Sequence, residues 1–360
     1  MLFIITVLIV FFISNANTLK NCDDCITIDH CRPALERVLV DKSPETERLV
    51  RNAYCGYDKL PKICCSEFVL TPSKYNDSDD IENHPNVKLL SEDCGEIDGN
   101  RIVGGSAASL YEFPWIVLIS YKYGQSLKFE CAGTLINSKY VLTAAHCVQN
   151  RTIAGVRVGE YDISSRVDCV GEGETRVCET RHQDRYVAEI ITHNEYKAAP
   201  KVMNDIALLR LSRPVNLTYK NSGTICLPVM KSLREMNLDG ERATVAGWGF
   251  TENYQRSNVL LKVELPVYSP KTCKAYYNRN QRSDNTDGLK HKLCAGEIGR
   301  DSCRGDSGGP LMLEGHYNES DRYIQFGIVS YGPSQCGSNT PGIYTDVRMF
   351  MKWILDTIKP

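Results

Sequence analysis

The 360-residue sequence has almost no excess of charge of either sign. Its 42 lysines and arginines stand against 44 aspartates and glutamates, a formal net charge of -2. Such a balance leaves no basic footprint for a nucleic acid. Long hydrophobic runs are also lacking after the first thirteen residues, so no later stretch is apolar for long enough to span a bilayer. Zinc-ligand spacing is incomplete: Cys22-Asp-Asp-Cys25 would suit half a knuckle, but no second pair and no histidine follows at ligand distance.

Cysteine, in contrast, is abundant, with 16 in the chain. An even, high count fits disulfides in an oxidising compartment far better than a cytosolic enzyme. The start of the chain points to the same place. Residues 2–13 read L-F-I-I-T-V-L-I-V-F-F-I, the length of a signal-peptide core, and Ser14 and Ala16 offer small residues for cleavage. Residues 1–16 are therefore expected to be a signal peptide, and the protein to be secreted and free of the membrane.

One stretch organises the rest: Gly299 to Pro310, reading G-R-D-S-C-R-G-D-S-G-G-P. Ser307 lies between an aspartate and two glycines, and Gly305, Gly308 and Gly309 permit a tight turn with amides converging on one small space, as an oxyanion hole needs. A serine hydroxyl is a poor nucleophile at neutral pH, so a base must take its proton and a third group must orient that base. Two marked segments supply candidates. Leu142 to Cys147 reads L-T-A-A-H-C, with His146, and Asn204 to Leu211 reads N-D-I-A-L-L-R-L, with Asp205.

With these three segments in the order His, Asp, Ser, the chain resembles the trypsin/chymotrypsin-like serine proteases. The resemblance covers nearly all of 102–360. It implies an all-β domain of two six-stranded antiparallel barrels with the active site in the cleft between them and a helix at the C-terminus. The residues read the same way: short apolar segments bounded by turns, such as Trp115-Ile-Val-Leu-Ile-Ser and Gln325-Phe-Gly-Ile-Val-Ser-Tyr, are followed at the end by Val347, Phe350, Met351, Ile354, Leu355 and Ile358 at helical spacing. By the same resemblance His146, Asp205 and Ser307 are catalytic, and the amides of Gly305 and Ser307 form the oxyanion hole. Asp301 lies at the base of the specificity pocket with Gly332 and Gly342 on its walls. A carboxylate at the end of a deep slot calls for a cation, which implies cleavage after Arg or Lys. Cutting Arg101–Ile102, in R-I-V-G-G, would free an ammonium to pair with Asp306, so the uncut chain is expected to be a zymogen.

Upstream, residues 21–66 hold cysteines 22, 25, 31, 55, 64 and 65. A segment this short cannot bury enough core to fold unaided, and sequence alone allows fifteen pairings of six cysteines. The terminal double cysteine and the segment Cys31 to Leu35 resemble the clip domain of arthropod serine proteases. That resemblance implies Cys22–Cys64, Cys25–Cys55 and Cys31–Cys65. Between Cys31 and Cys55, the segments beginning at Pro33 and at Glu45 suit short helices. Residues 67–101 are expected to be a mobile, solvated linker and activation segment, being acidic and poor in large apolar residues as far as Asp93.

Cysteine parity adds a point that no motif is needed to show. Seven cysteines precede Arg101 and nine follow it, so if all pair within one chain at least one bridge crosses the cleavage point. The family pairs Cys94 with Cys226, and further implies Cys131–Cys147, Cys273–Cys294 and Cys303–Cys336. Glu160, Asp162 and Asp168 put hard oxygen donors on one loop and resemble the family's calcium loop, with an inserted segment from Cys169 to Cys178 that is expected to be bridged to itself. The competing reading is a solvated acidic surface. Sequons at Asn76, Asn150, Asn216 and Asn318 are glycosylation candidates.

These readings together predict a clip-domain endopeptidase of an extracellular cascade, the family's settings being melanisation by prophenoloxidase activation, Toll signalling and clotting. Its expected partners are a protein substrate, an upstream activating protease and serpin inhibitors. Two other functions compete. A non-catalytic homologue acting as a binding cofactor would have lost the triad, which is intact here. A broad digestive protease would have little use for a tethered docking module.

Overall fold

A computed structural model describes residues 22, 24–31, 34, 50–58, 60–65, 81–97, 106–250, 255–278, 289–298, 305–333 and 337–360. Expectations for the signal peptide at 1–16, for Arg101, Ile102, Asp301 and Asn76, for the bridge Cys303–Cys336 and for most of both short helices before Cys55 lie outside the described residues. The chain divides into two compact units, Met1–Asp79 and Asp80–Pro360.

In the first unit, β1 (Cys25–Thr27), β2 (Tyr54–Asp58) and β3 (Leu60–Cys64) form an antiparallel sheet in the order β1-β3-β2. The bridges Cys22–Cys64, Cys25–Cys55 and Cys31–Cys65 staple it. Its core is small, built on Ile28, Ala34, Val50, Ala53 and Ile63. Three cross-links compensate for so little buried apolar area by restricting the unfolded chain. They also commit the Cys22–Cys25 pair to disulfides.

The second unit begins with residues 81–97, and here the expectation of a mobile linker is corrected. Ile81 is buried, and Val87, Leu89, Leu90 and Ile97 pack on the core. Asn86 donates its side-chain amide to the carbonyls of Leu355 and Ile358, at 2.9 and 3.1 Å. The last carbonyls of a helix have no partner within it, so a polar segment that satisfies them is held in place despite its composition. Cys94–Cys226 and the pair His84–Asp356 fasten the same segment.

After β4 (Ser106–Ala107) come β5 (Ile116–Tyr123), β6 (Ser126–Asn137), β7 (Tyr140–Thr143) and β8 (Ile153–Val158), then the small hairpin β9 (Asp168–Val170) and β10 (Val177–Glu179). β11 (Gln183–Arg185), β12 (Val187–Thr192) and β13 (Ala207–Leu211) follow. The sheet order is β11-β8-β5-β6-β7-β13-β12. Only Tyr186 separates β11 from β12, so one bent run of chain pairs with β8 on one side and β13 on the other. Counted once, that run closes a ring of six strands.

The other half consists of β14 (Arg242–Gly247), β15 (Leu261–Tyr268), β16 (Lys292–Ala295), β17 (Pro310–Tyr317), β18 (Ser320–Tyr331) and β19 (Gly342–Asp346). These run β14-β17-β18-β19-β16-β15, and β14 pairs with β15 to close the ring while β4 adds to its edge. The two barrels share buried contacts: Thr134 donates to Gln325 at 2.6 Å, and Trp115 lies against Met312. Trp115 and Trp248 are fully buried, and truncation of either to alanine would cost about 3–5 kcal/mol.

The C-terminal segment closes the body as its periodicity predicts. The six residues at helical spacing, Val347, Phe350, Met351, Ile354, Leu355 and Ile358, are all buried, while Met349 on the other face is exposed. The first turn, Val347–Phe350, is a 3-10 helix capped by the Asp346 carboxylate, and the α-helix proper is Met351–Thr357.

Candidate active site

His146 stands in the 3-10 turn Ala145–Cys147 that follows β7. Its Nδ1 lies 2.8 Å from Oδ2 of Asp205, and its main-chain amide donates to Oδ1 of the same carboxylate at 2.9 Å. Asp205 enters from the turn before β13. Asn204 makes that turn with φ of 49°, a left-handed conformation that asparagine tolerates better than most residues, and its side chain donates to the Glu195 carbonyl. The sequence Asn-Asp thus aims the carboxylate inward.

Asp205 is 1 % exposed, and an ion so buried must be compensated. Ser330 of β18 donates its hydroxyl to Oδ2 at 2.5 Å, and Thr345 of β19 donates to the Asp205 carbonyl at 2.8 Å. Burial pushes the carboxyl up, but the bonds from the His146 ring, from Ser330 and from the His146 amide, with the histidine's charge, outweigh it and hold it below its ordinary value. It therefore stays ionised at neutral pH. The sequence reading singled out neither Ser330 nor Thr345. Both sit in the second barrel while Asp205 sits in the first.

Ser307 lies in the turn before β17. Its carbonyl accepts from the Ala132 amide at 2.8 Å, and the Gly308 amide donates to Val329 at 2.9 Å. Ala132 follows Cys131, which is bridged to Cys147 beside His146, so one short path of bonds ties the serine turn to the histidine turn. Gly305 and Gly308 have φ of 108° and 80°, and a side chain on Gly308 would collide with Thr143 Oγ1 and the Ala132 carbonyl. No other residue fits that approach. Asp306, next to the serine, is buried and accepts from the Gly249 amide at 2.8 Å.

The expected pocket walls come together: a β-carbon added to Gly332 would stand 3.7 Å from the Gly342 Cα. Neither position puts a side chain on this wall. The acidic loop behaves differently from residue to residue. Glu160 and Asp168 both direct an oxygen at the Tyr161 amide, at 3.1 Å each. Burial and then the charge of Asp168 push the Glu160 carboxyl up, and burial pushes Asp168 up. Asp162 instead caps the loop, accepting from the amide and hydroxyl of Ser164. Beyond the loop, Cys169–Cys178 bridges the β9–β10 hairpin across paired positions. Cys273–Cys294 is formed as well. Asn150, Asn216 and Asn318 are exposed.

A buried carboxylate orienting an imidazole, with a serine on a glycine turn tied to the histidine turn through Cys131–Cys147, is the equipment of acyl transfer. The profile of the Trypsin family matches residues 102–354. The chain belongs to that family and is a serine protease. A silkworm (Bombyx mori) protein called CLIP domain-containing serine protease HP8 is 39% identical over 349 residues, covering 93% of this chain and 91% of its own. Melanization protease 1 of Drosophila melanogaster is 37% identical, covering 94% and 92%. Among solved structures, the Drosophila Grass clip serine protease of the Toll pathway matches with a TM-score of 0.63 at 31% identity, over 93% of this chain and 92% of its own. Within the trypsin family, this protein is a clip-domain serine protease. Among the described residues no helix is long and apolar enough to cross a membrane.

Proposed function

We propose that the chain is secreted as a zymogen and, once cut at Arg101–Ile102, hydrolyses a protein substrate after arginine, or less well lysine, in an extracellular cascade. The observation that carries this reading is the double hold of Asp205 on His146, ring and main chain together. In this reading His146 takes the proton of the Ser307 hydroxyl as Oγ bonds to the scissile carbonyl carbon. The amides of Gly305 and Ser307 receive the negative charge that forms on the carbonyl oxygen. His146 then gives its proton to the amine as the C–N bond breaks, and water repeats the sequence to free the acyl group.

The pocket reading rests on the absence of side chains at Gly332 and Gly342 and on Asp301, six residues before Ser307 in the sequence. The zymogen reading rests on R-I-V-G-G and on Asp306, a buried carboxylate suited to a new Ile102 ammonium. The cascade reading draws on relatives named Melanization protease 1, Phenoloxidase-activating factor 3 and Spaetzle-processing enzyme. Such a role brings an upstream activating protease and serpin inhibitors as partners. Calcium belongs to the same proposal, as a structural ion. Glu160 and Asp168 are the fitting donors, being partly desolvated carboxylates that share the Tyr161 amide and whose negative charge a divalent cation would offset, while Asp162 supports the loop through Ser164.

The test is activation. Purified chain, treated with a trypsin-like activator, should hydrolyse arginyl peptide amides, and Ser307→Ala should lose about six orders of magnitude in kcat. Arg101→Gln should stay inactive under the same treatment. Full activity of Arg101→Gln with the bond intact would overturn the zymogen reading, and full activity of Ser307→Ala the catalytic one.

A further inference from the structure

Lys292 opens β16, in register with Thr345, the residue that holds the Asp205 carbonyl. Its ammonium donates to the main-chain carbonyl of Val202, three residues before Asp205. It also donates to the Tyr331 hydroxyl at 3.1 Å and stands 4.7 Å from the centre of the Tyr331 ring. Tyr331 directly follows Ser330, the donor to the Asp205 carboxylate. One cation therefore ties together the two pieces of chain that set the orientation of Asp205, one from each barrel.

We propose that Lys292 is a positioning residue for peptide hydrolysis: its ammonium clamps the Val202 carbonyl to the Tyr331 hydroxyl, and so keeps Asp205 and Ser330 in the register that orients His146. The proposal rests on the catalytic reading of His146, Asp205 and Ser307 given above. An ammonium is the right group for this place. It offers three donors and no acceptor, and a carbonyl and a phenol oxygen take two of them. The buried Asp205 carboxylate supplies the compensating charge.

The clamp is titratable within the working range of a protease. Burial pushes the Lys292 ammonium down to about 8, against the pull of the Asp205 carboxylate. Tyr331 and Tyr196 are both pushed up to about 12, by burial and then by the charge of Asp205, and Asp205 itself is held low. His291, the preceding residue, is pushed down by burial and stays neutral in the same range. As pH rises past 8 the amine becomes neutral and its attraction to the carboxylate disappears. The orientation of Asp205 then loosens, and kcat should fall while KM changes little, since no substrate contact is lost.

The experiment compares the activated wild type, Lys292→Met and Lys292→Arg on an arginyl peptide amide from pH 6 to 10.5. In the wild type, kcat should decline with a midpoint near 8. Lys292→Met should lower kcat at pH 7 by about ten- to a hundredfold, the scale of a small misplacement, with KM within twofold of wild type, and should show no such decline. Lys292→Arg, always charged, should restore most of kcat and shift the decline well above pH 9. Thermal unfolding of each variant separates misfolding from mispositioning, and the arginine variant decides the matter if the methionine variant does not fold. Persistence of the same alkaline midpoint in Lys292→Arg would overturn the proposal, because the freed amino terminus would then be its source. Equal kcat in wild type and Lys292→Met would overturn it too. Absence of Ser307-dependent hydrolysis in the wild type would instead mean that the catalytic reading itself has failed.

Discussion

The hydroxyl of Ser330, in the second barrel, donates to the buried carboxylate of Asp205, in the first, at 2.5 Å. Asp205 thus belongs to both barrels, and any relative movement between them would reach His146 through it. A hydrogen bond to an ion is worth about 1.5–3 kcal/mol, so Ser330→Ala should lower kcat/KM by roughly tenfold or more, with KM little changed. Steady-state kinetics of the activated variant would check this. Unaltered kcat would show that the histidine alone orients the carboxylate.

Asp205→Asn should keep the fold and lose roughly 10^4 in kcat, because the amide cannot hold the imidazole in the productive tautomer. Acid stability should change as well. The Asp205 carboxyl sits below its ordinary value in the folded protein, so as pH falls the unfolded chain takes up the proton first. Its contribution is therefore present above about pH 4 and lost as pH falls through the folded value. Urea unfolding at pH 6 and pH 2.5 should show a smaller acid loss for Asp205→Asn than for wild type. Identical losses would assign acid sensitivity to other carboxylates.

The acidic loop has the opposite sign. Glu160 and Asp168 are pushed up in the folded state, so the folded chain binds protons first and this pair costs stability once pH rises above both values. Calcium should offset that cost, raising the melting temperature in proportion to the logarithm of its concentration above Kd. In chelator, Glu160→Gln should melt higher than wild type, and its gain with millimolar calcium should shrink. Equal melting temperatures for wild type with and without calcium would leave the loop a solvated surface.

Cys94–Cys226 joins a segment before Arg101 to the body of the protease unit across 132 residues. Chain cut at Arg101 should run as one species on a non-reducing gel and as two after reduction. A free N-terminal fragment without reductant would show that this bridge does not form in the mature protein.

Asp301→Ser should remove the preference for arginine while leaving reaction with a serine-directed phosphonate intact, since the triad does not depend on the pocket base. Cleavage after arginine at the wild-type rate in this variant would place the specificity carboxylate elsewhere.

Much of the site is legible locally. Gly-Asp-Ser-Gly-Gly dictates a turn that only glycine can make at position 308, Asn-Asp turns the carboxylate of Asp205 inward through a left-handed asparagine, and the spacing from Val347 to Ile358 marks a face that must be buried. Such features depend on near neighbours and on backbone sterics, so residue type and spacing suffice to reveal them. The order of segment 81–97 is not legible in the same way, because its polar composition says nothing of the helix-end carbonyls of Leu355 and Ile358 that Asn86 satisfies. Only the tertiary structure decided what compensates Asp205. Ser330 and Thr345 reach it from 125 and 140 residues away, and Lys292 reaches Val202 from 90. A hydrogen bond across such a distance leaves no local pattern: it exists because two barrels, each closed by its own strand register, bring their edges together around one buried charge.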